Sequence, residues 1–157
     1  MSELTLNAQP GLAKFDVHKL MMKLGKTIEK TPGGLNAGTP ELQKQCPVKE
    51  SFTDGLYVRE IFMPKDMLVV TQIHKHQSPY FILQGDCSVL SEDGTVDRIS
   101  APHSGITVPG TQRVIYVHED TVWVTVHTNP DNDRDTKTLV NRLTMKPSEL
   151  KKISEDV

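Results

Sequence analysis

The sequence predicts a mainly β protein, in which one barrel of short strands is preceded by a helix and an arm and followed by short helices. Three observations predict this. Seven apolar runs rich in β-branched and aromatic residues lie between residues 56 and 127, turn-forming residues separate them at hairpin spacing, and helical periodicity occurs only outside that region.

With 157 residues the chain is long enough to bury a core without disulfide or metal staples, and one domain is expected. The expected organisation is an N-terminal helix and extended arm over residues 1–50, a barrel over 51–128 and a helical tail over 129–157. Lys and Arg number 18 against 20 Asp and Glu, so no global field draws the chain to nucleic acid or to a membrane surface. The two cysteines, Cys46 and Cys87, have no metal-ligand spacing, and Cys87 in its apolar run reads as reduced and buried. The start of the chain lacks a signal peptide's charged end and apolar run of about 7 to 15 residues, and no stretch of about 18 apolar residues occurs. A soluble protein of a reducing, cytoplasmic compartment is expected.

Leu12, Phe15, Leu20, Met21, Leu24 and Ile28 recur mostly at intervals of three and four and predict an amphipathic helix over 12–28. Lys14, Lys19, Lys23 and Lys26 on its other side read as a solvated face. The Gly-, Pro- and Asn-rich text from Thr31 to Pro47 predicts a connector or extended arm, because these residues favour turns over regular pairing.

The predicted strands are 56–62, 67–76, 80–90, 96–100, 105–109, 113–118 and 121–127. Met63-Pro64-Lys65-Asp66, Glu92-Asp93-Gly94 and Glu119-Asp120 are the predicted turns between them. Leu139, Val140 and Leu143, then Leu150 and Ile153 beyond Pro147, predict two short C-terminal helices. Asp131, Asp133 and Asp135 alternate as in a calcium loop, but Thr136 and Arg142 occupy the positions of its glycine and bidentate glutamate, so a polar turn is expected.

Successive strand residues face opposite ways, which would set Leu68, Val70, Gln72, His74 and His76 on one side and Val69, Thr71, Ile73 and Lys75 on the other. Two imidazoles one residue apart could then share a pocket or a metal ion. They could equally face solvent, with Val69 and Ile73 toward the core, since both sets contain apolar members.

His74-Lys75-His76 with Ile82-Leu83-Gln84-Gly85, followed by Gly105-Ile106-Thr107-Val108-Pro109-Gly110-Thr111-Gln112-Arg113, resembles the two motifs of the cupin superfamily over about residues 55 to 128. The resemblance implies a jelly-roll-like barrel with an interior pocket. Where that family has a motif-one glutamate this chain offers Gln77, Ser78, Pro79 or Tyr80, and Arg113 stands near the place of the motif-two histidine. An inward arginine, which cannot donate a lone pair, disfavours a metal and favours a carboxylate, a phosphate or another anion. Gln72, His74, His76, Tyr80 and Arg113 are therefore the candidate ligand-binding residues. His74, His76 and His127 are the alternative metal set, for iron, manganese or zinc, with the facing of His127 depending on the length of the turn after His118.

Pieces such as CPVKESF, GLYVREIFMP and HEDTVW are also similar to small cupin-fold proteins encoded by tailed bacteriophages. That likeness implies a role in virion assembly, or in holding a small molecule inside a bacterial host. A non-catalytic pocket or an oligomeric assembly protein is the reading adopted, with a metal-dependent dioxygenase or isomerase as the alternative. Sheet edges that need covering make a homo-oligomer the expected state, with a small-molecule ligand and with neither nucleic acid nor membrane as partner. No P-loop, nucleophile-elbow, zincin or dinucleotide-binding pattern is present.

Overall fold

The computed structural model describes residues 23, 27, 34–36, 40–91 and 93–145. The predicted helix over 12–28, apart from Lys23 and Thr27, and the predicted helix bearing Leu150 and Ile153 lie outside the described residues. In chain order the elements are β1 (Gly34–Asn36), α1 (Pro40–Gln45), β2 (Val48–Thr53), β3 (Gly55–Met63), β4 (Leu68–Val70), β5 (Ile73–His74), β6 (Ser78–Ser91), β7 (Val96–Ser100), β8 (His103–Thr107), β9 (Arg113–Asn129), α2 (Thr136–Leu143) and β10 (Thr144–Met145).

Two long strands organise the barrel. β6 and β9 pair antiparallel along almost their whole lengths, from Tyr80↔Thr125 to Ser91↔Arg113. The first half of β9 and the second half of β6 carry β4, β1 and β7 on their flanks, whereas the second half of β9 and the first half of β6 carry β3, β2 and β8. One continuous antiparallel ribbon thus belongs to two sheets that fold over each other, the arrangement of a jelly-roll-like barrel. The mainly β, cupin-type architecture expected from the sequence is the one observed.

The fold-over happens at a bulge. Between the pairs Ile82↔Trp123 and Cys87↔Val117, β9 advances six residues against five on β6. Gly85 sits there at φ +95, and a Cβ on it would run into Asp120 O at 2.5 Å and into Thr121 Oγ1, so only glycine fits. Because β9 continues through Glu119-Asp120, the turn predicted there does not exist. The strand bends instead of reversing, and its β-branched residues on both sides of the acidic pair stay in one ladder.

One core cluster spans the space between the sheets, with Met63, Val69, Ile82, Cys87, Val89, Ile115, Val117 and Trp123 among its members. The described residues of the Thr31–Pro47 connector include regular structure that its composition does not predict. Gly34–Asn36 pairs parallel with Leu68–Val70, and Leu42 of α1 and Cys46 just after it pack into the core. Both cysteines are free and fully buried.

The aspartate run does form a polar turn and cap. Asn129 Nδ2 donates to Asp133 O at 2.8 Å, and Asp135, at the N-cap of α2, accepts from Lys137 N and Thr138 Oγ1. Replacing Asp135 by alanine orphans the first N–H groups of α2 and is expected to lower stability by about 1 kcal/mol, read as a shift in the urea midpoint at unchanged slope. Among the described residues, no helix is long and apolar enough to cross a membrane.

Candidate anion-binding cavity

A cavity of about 180 Å³ lies between the two sheets. Its lining follows from strand alternation. Along β9 every odd-numbered residue from Arg113 to His127, except the exposed Glu119 at the bend, turns inward or is buried, so Arg113, Ile115, Trp123, Thr125 and His127 all reach the cavity. An uninterrupted strand keeps its parity, and this decides the facing of His127.

The register sorts the lining into two ends. On one sheet Arg59 is paired with Thr125 and Tyr57 with His127, while Ile61 is paired with Trp123. On the other, Thr71 N donates to Arg113 O at 2.9 Å, while Val69 is paired with Ile115. Polar residues of both sheets therefore gather at one end, beside His74, and apolar ones at the other, where Met63 and Cys46 complete the wall. Leu143 and Thr144 from the end of α2 and β10 also line the space, and Thr144 pairs with His74. Thr144 Oγ1 donates to Gln72 Oε1 at 2.8 Å, which ties Gln72 to this segment.

The chemistry of the polar end is lopsided. His74 and His127 have ring centroids 6.5 Å apart, and His127 Nε2 lies 3.0 Å from Thr125 Oγ1. Burial pushes the His74 pKa down to about 4, helped by the charges of Arg113, His127 and Arg59. His127 is pushed down to about 4 by burial first, then by Arg59 and His76. Both rings are neutral near neutral pH. The guanidiniums of Arg59 and Arg113 remain charged, and among the described residues no Asp or Glu lines the cavity. Arg113 donates to Thr107 Oγ1 at 3.2 Å and lies 5.3 Å over the Tyr80 ring, whereas the buried Nε of Arg59 has no hydrogen-bond acceptor.

A metal of the kind found in the resembled family does not fit this set. Among the described residues no group of three His, Cys, Asp or Glu is placed to hold an ion. Among the described residues two imidazoles reach the cavity, and two guanidiniums share their end of it, where they would repel a cation.

No family model and no curated protein matches this sequence. Among solved structures, the chain is similar to KdgF from Halomonas sp., at 17% identity and a TM-score of 0.49, over 64% of this chain and 88% of that one. It is also similar to an uncharacterized conserved protein with a double-stranded β-helix domain from Klebsiella pneumoniae, at 16% identity and a TM-score of 0.48, over 57% and 76% of the two chains. A third is the DMSP lyase DddQ from Ruegeria pomeroyi, at 15% identity and a TM-score of 0.48, over 57% and 49%. Likeness at this level identifies neither a family nor an activity for this chain.

Of the residues singled out from the sequence, Gln72, His74, Arg113 and His127 line the cavity together. His76 does not. The strand predicted over 67–76 breaks between β4 and β5, so Thr71 and Gln72 both line the cavity, and the facing pattern reverses at that point. Val69 and Thr71, expected opposite His74, thus share the cavity with it, and His76 falls in the bend after β5, exposed. Tyr80 is buried behind the cavity wall, stacked on Trp123 at 4.9 Å beneath Arg113, and acts on the site through those two side chains. Arg59 is the residue sequence reasoning missed. Its signal lay in the alternation Tyr57, Arg59, Ile61, Met63, but Glu60 stood in the opposite set with Val58 and Phe62. Periodicity alone could not say which charge faces inward.

Proposed function

We propose that this protein binds a small amphipathic organic anion, a carboxylate on an apolar body, in the cavity between its sheets, and that it acts by binding rather than by catalysis. The observation that carries this reading is the pair of guanidiniums, Arg59 and Arg113, facing a cavity in whose lining no acidic side chain stands among the described residues. Two guanidiniums at one end of a cavity favour an anion there, and an entering carboxylate can accept charge-assisted hydrogen bonds from them. The neutral imidazoles add hydrogen-bonding partners without competing charge. The apolar end, with Ile61, Val69, Ile115 and Trp123, suits a hydrocarbon or aromatic body of the ligand.

Hexanoate and benzoate serve as probes, with the corresponding amides as uncharged controls. Arg59→Gln and Arg113→Gln are each expected to weaken binding of the better carboxylate about 10- to 100-fold, as loss of a charged hydrogen bond does. Binding is read from the ligand-induced rise in melting temperature and from Trp123 fluorescence. Affinity for the carboxylates that survives in the double variant contradicts the proposal.

A further inference from the structure

We infer that the outer face of the sheet β2-β3-β9-β6-β8 is an interface at which a second copy of this chain docks, independently of what the cavity holds. The alternation that turns Trp123 and Thr125 inward turns Val124 and Val126 outward, and the same rule presents Phe62 on β3, Phe81 and Leu83 on β6, and Ile106 on β8. Leu83 is 60% exposed, Ile106 54% and Phe81 40%, so this is open apolar surface and no extension of the core. Large contiguous apolar faces on a soluble chain mark sites of association.

The outer face of the other sheet shows the contrast. There Asp86 accepts from Arg98 Nε at 2.8 Å and from Ser100 Oγ at 2.6 Å, and Ser88 Oγ lies 2.7 Å from His118 Nε2. That part of the face is polar and internally bonded, and the apolar residues beside it form a cluster of their own in which Val70 and Val114 are already buried.

Size and charge point to a second copy as the occupant. Five strands about 4.8 Å apart, rising about 3.4 Å per residue over the span 56–62 of β3, make a field of roughly 25 Å by 25 Å. With side-chain relief counted, that is near the roughly 800 Å² per partner that a standard interface covers. One row across the sheet runs Lys49, Glu60, Val124, Phe81, Ser104, with the charges at the rim and the apolar residues at the centre. Lys49 and Glu60 lie 3.9 Å apart and offset each other. A like face can therefore approach without repulsion, in the isologous manner of a two-fold dimer with sheets packed face to face.

Sedimentation velocity of the full chain tests this. The wild type is expected to sediment as a dimer, and Phe81→Lys/Ile106→Lys as a monomer with the near-ultraviolet signal of Trp123 intact. Leu83→Lys serves as a second, milder variant should that pair not fold. Val96→Lys, equally exposed but on the other sheet, is expected to leave the dimer unchanged. A monomeric wild type, or a dimer that survives in the folded variants of the face, overturns the inference. If the wild type is monomeric and Leu20→Lys/Leu24→Lys raises its binding of a hydrophobic dye, the stripe of residues 12–28 covers the face instead.

Discussion

Gly85→Ala is expected to be the most damaging single substitution in the barrel, lowering stability by about 4 kcal/mol or more. Two costs combine. At φ +95 any side chain is strained, and the added Cβ lies 2.5 Å from Asp120 O and 2.7 Å from Thr121 Cα, atoms that cannot swing away as a flexible side chain can. The ribbon of β6 and β9 bends at this point, so relief of the clash pulls apart the pairing that joins both sheets. Urea unfolding is the measurement, and a loss below about 1 kcal/mol would show that the bend tolerates a side chain and is not the fixed corner described.

Acid is expected to destabilise the protein between pH 6.5 and 4 through two buried histidines. His74 and His127 have folded pKa values of about 4 against 6.5 for an unperturbed histidine. Well above pH 6.5 both are neutral in the folded and unfolded chains and pH has no leverage through them. As pH falls from 6.5 to 4 the unfolded chain takes up protons that the folded one refuses, so stability falls across this window and levels off below it. The loss is on the order of 3 kcal/mol for each histidine. The three aspartates whose pKa values are lowered, Asp86, Asp93 and Asp135, act below this window. Urea midpoints across the window, for the wild type and for His74→Asn/His127→Gln, measure the effect. A double variant with the same slope as the wild type would place the titrating groups elsewhere.

The same linkage has the opposite sign for the ligand. A bound carboxylate beside the imidazoles raises their pKa values, so its affinity is expected to rise with acid while free-protein stability falls. A ligand carboxylate must remain ionised for this, which confines the effect to the upper part of the window.

What could be read in the sequence divides along a physical line. The strands of β3, β6 and β7 and the barrel they build were legible because apolar runs, turn residues and period-two alternation are local signals. His74, Gln72 and Arg113 were legible as neighbours in one pocket because the family resemblance ordered their strands. Facing was not legible wherever a strand broke or bent. The interruption after Val70 sent His76 to the surface, and the continuity of β9 through Glu119-Asp120 sent His127 inward, yet both stretches carry similar short polar texts. A bend and a turn differ in the pairing of the opposite strand, which no local pattern records. Arg59 escaped for the same reason, since its strand is apolar on both faces. One of those faces lines the cavity and the other forms the proposed dimer surface.

The most direct measurement is a calorimetric titration of the wild-type protein with benzoate and benzamide near neutral pH. A described lining that holds two guanidiniums and no carboxylate predicts that benzoate binds and the isosteric amide binds at least about 10-fold more weakly. Equal affinity for the two, or no binding of benzoate, hexanoate or any other carboxylate small enough for the cavity, would contradict the account.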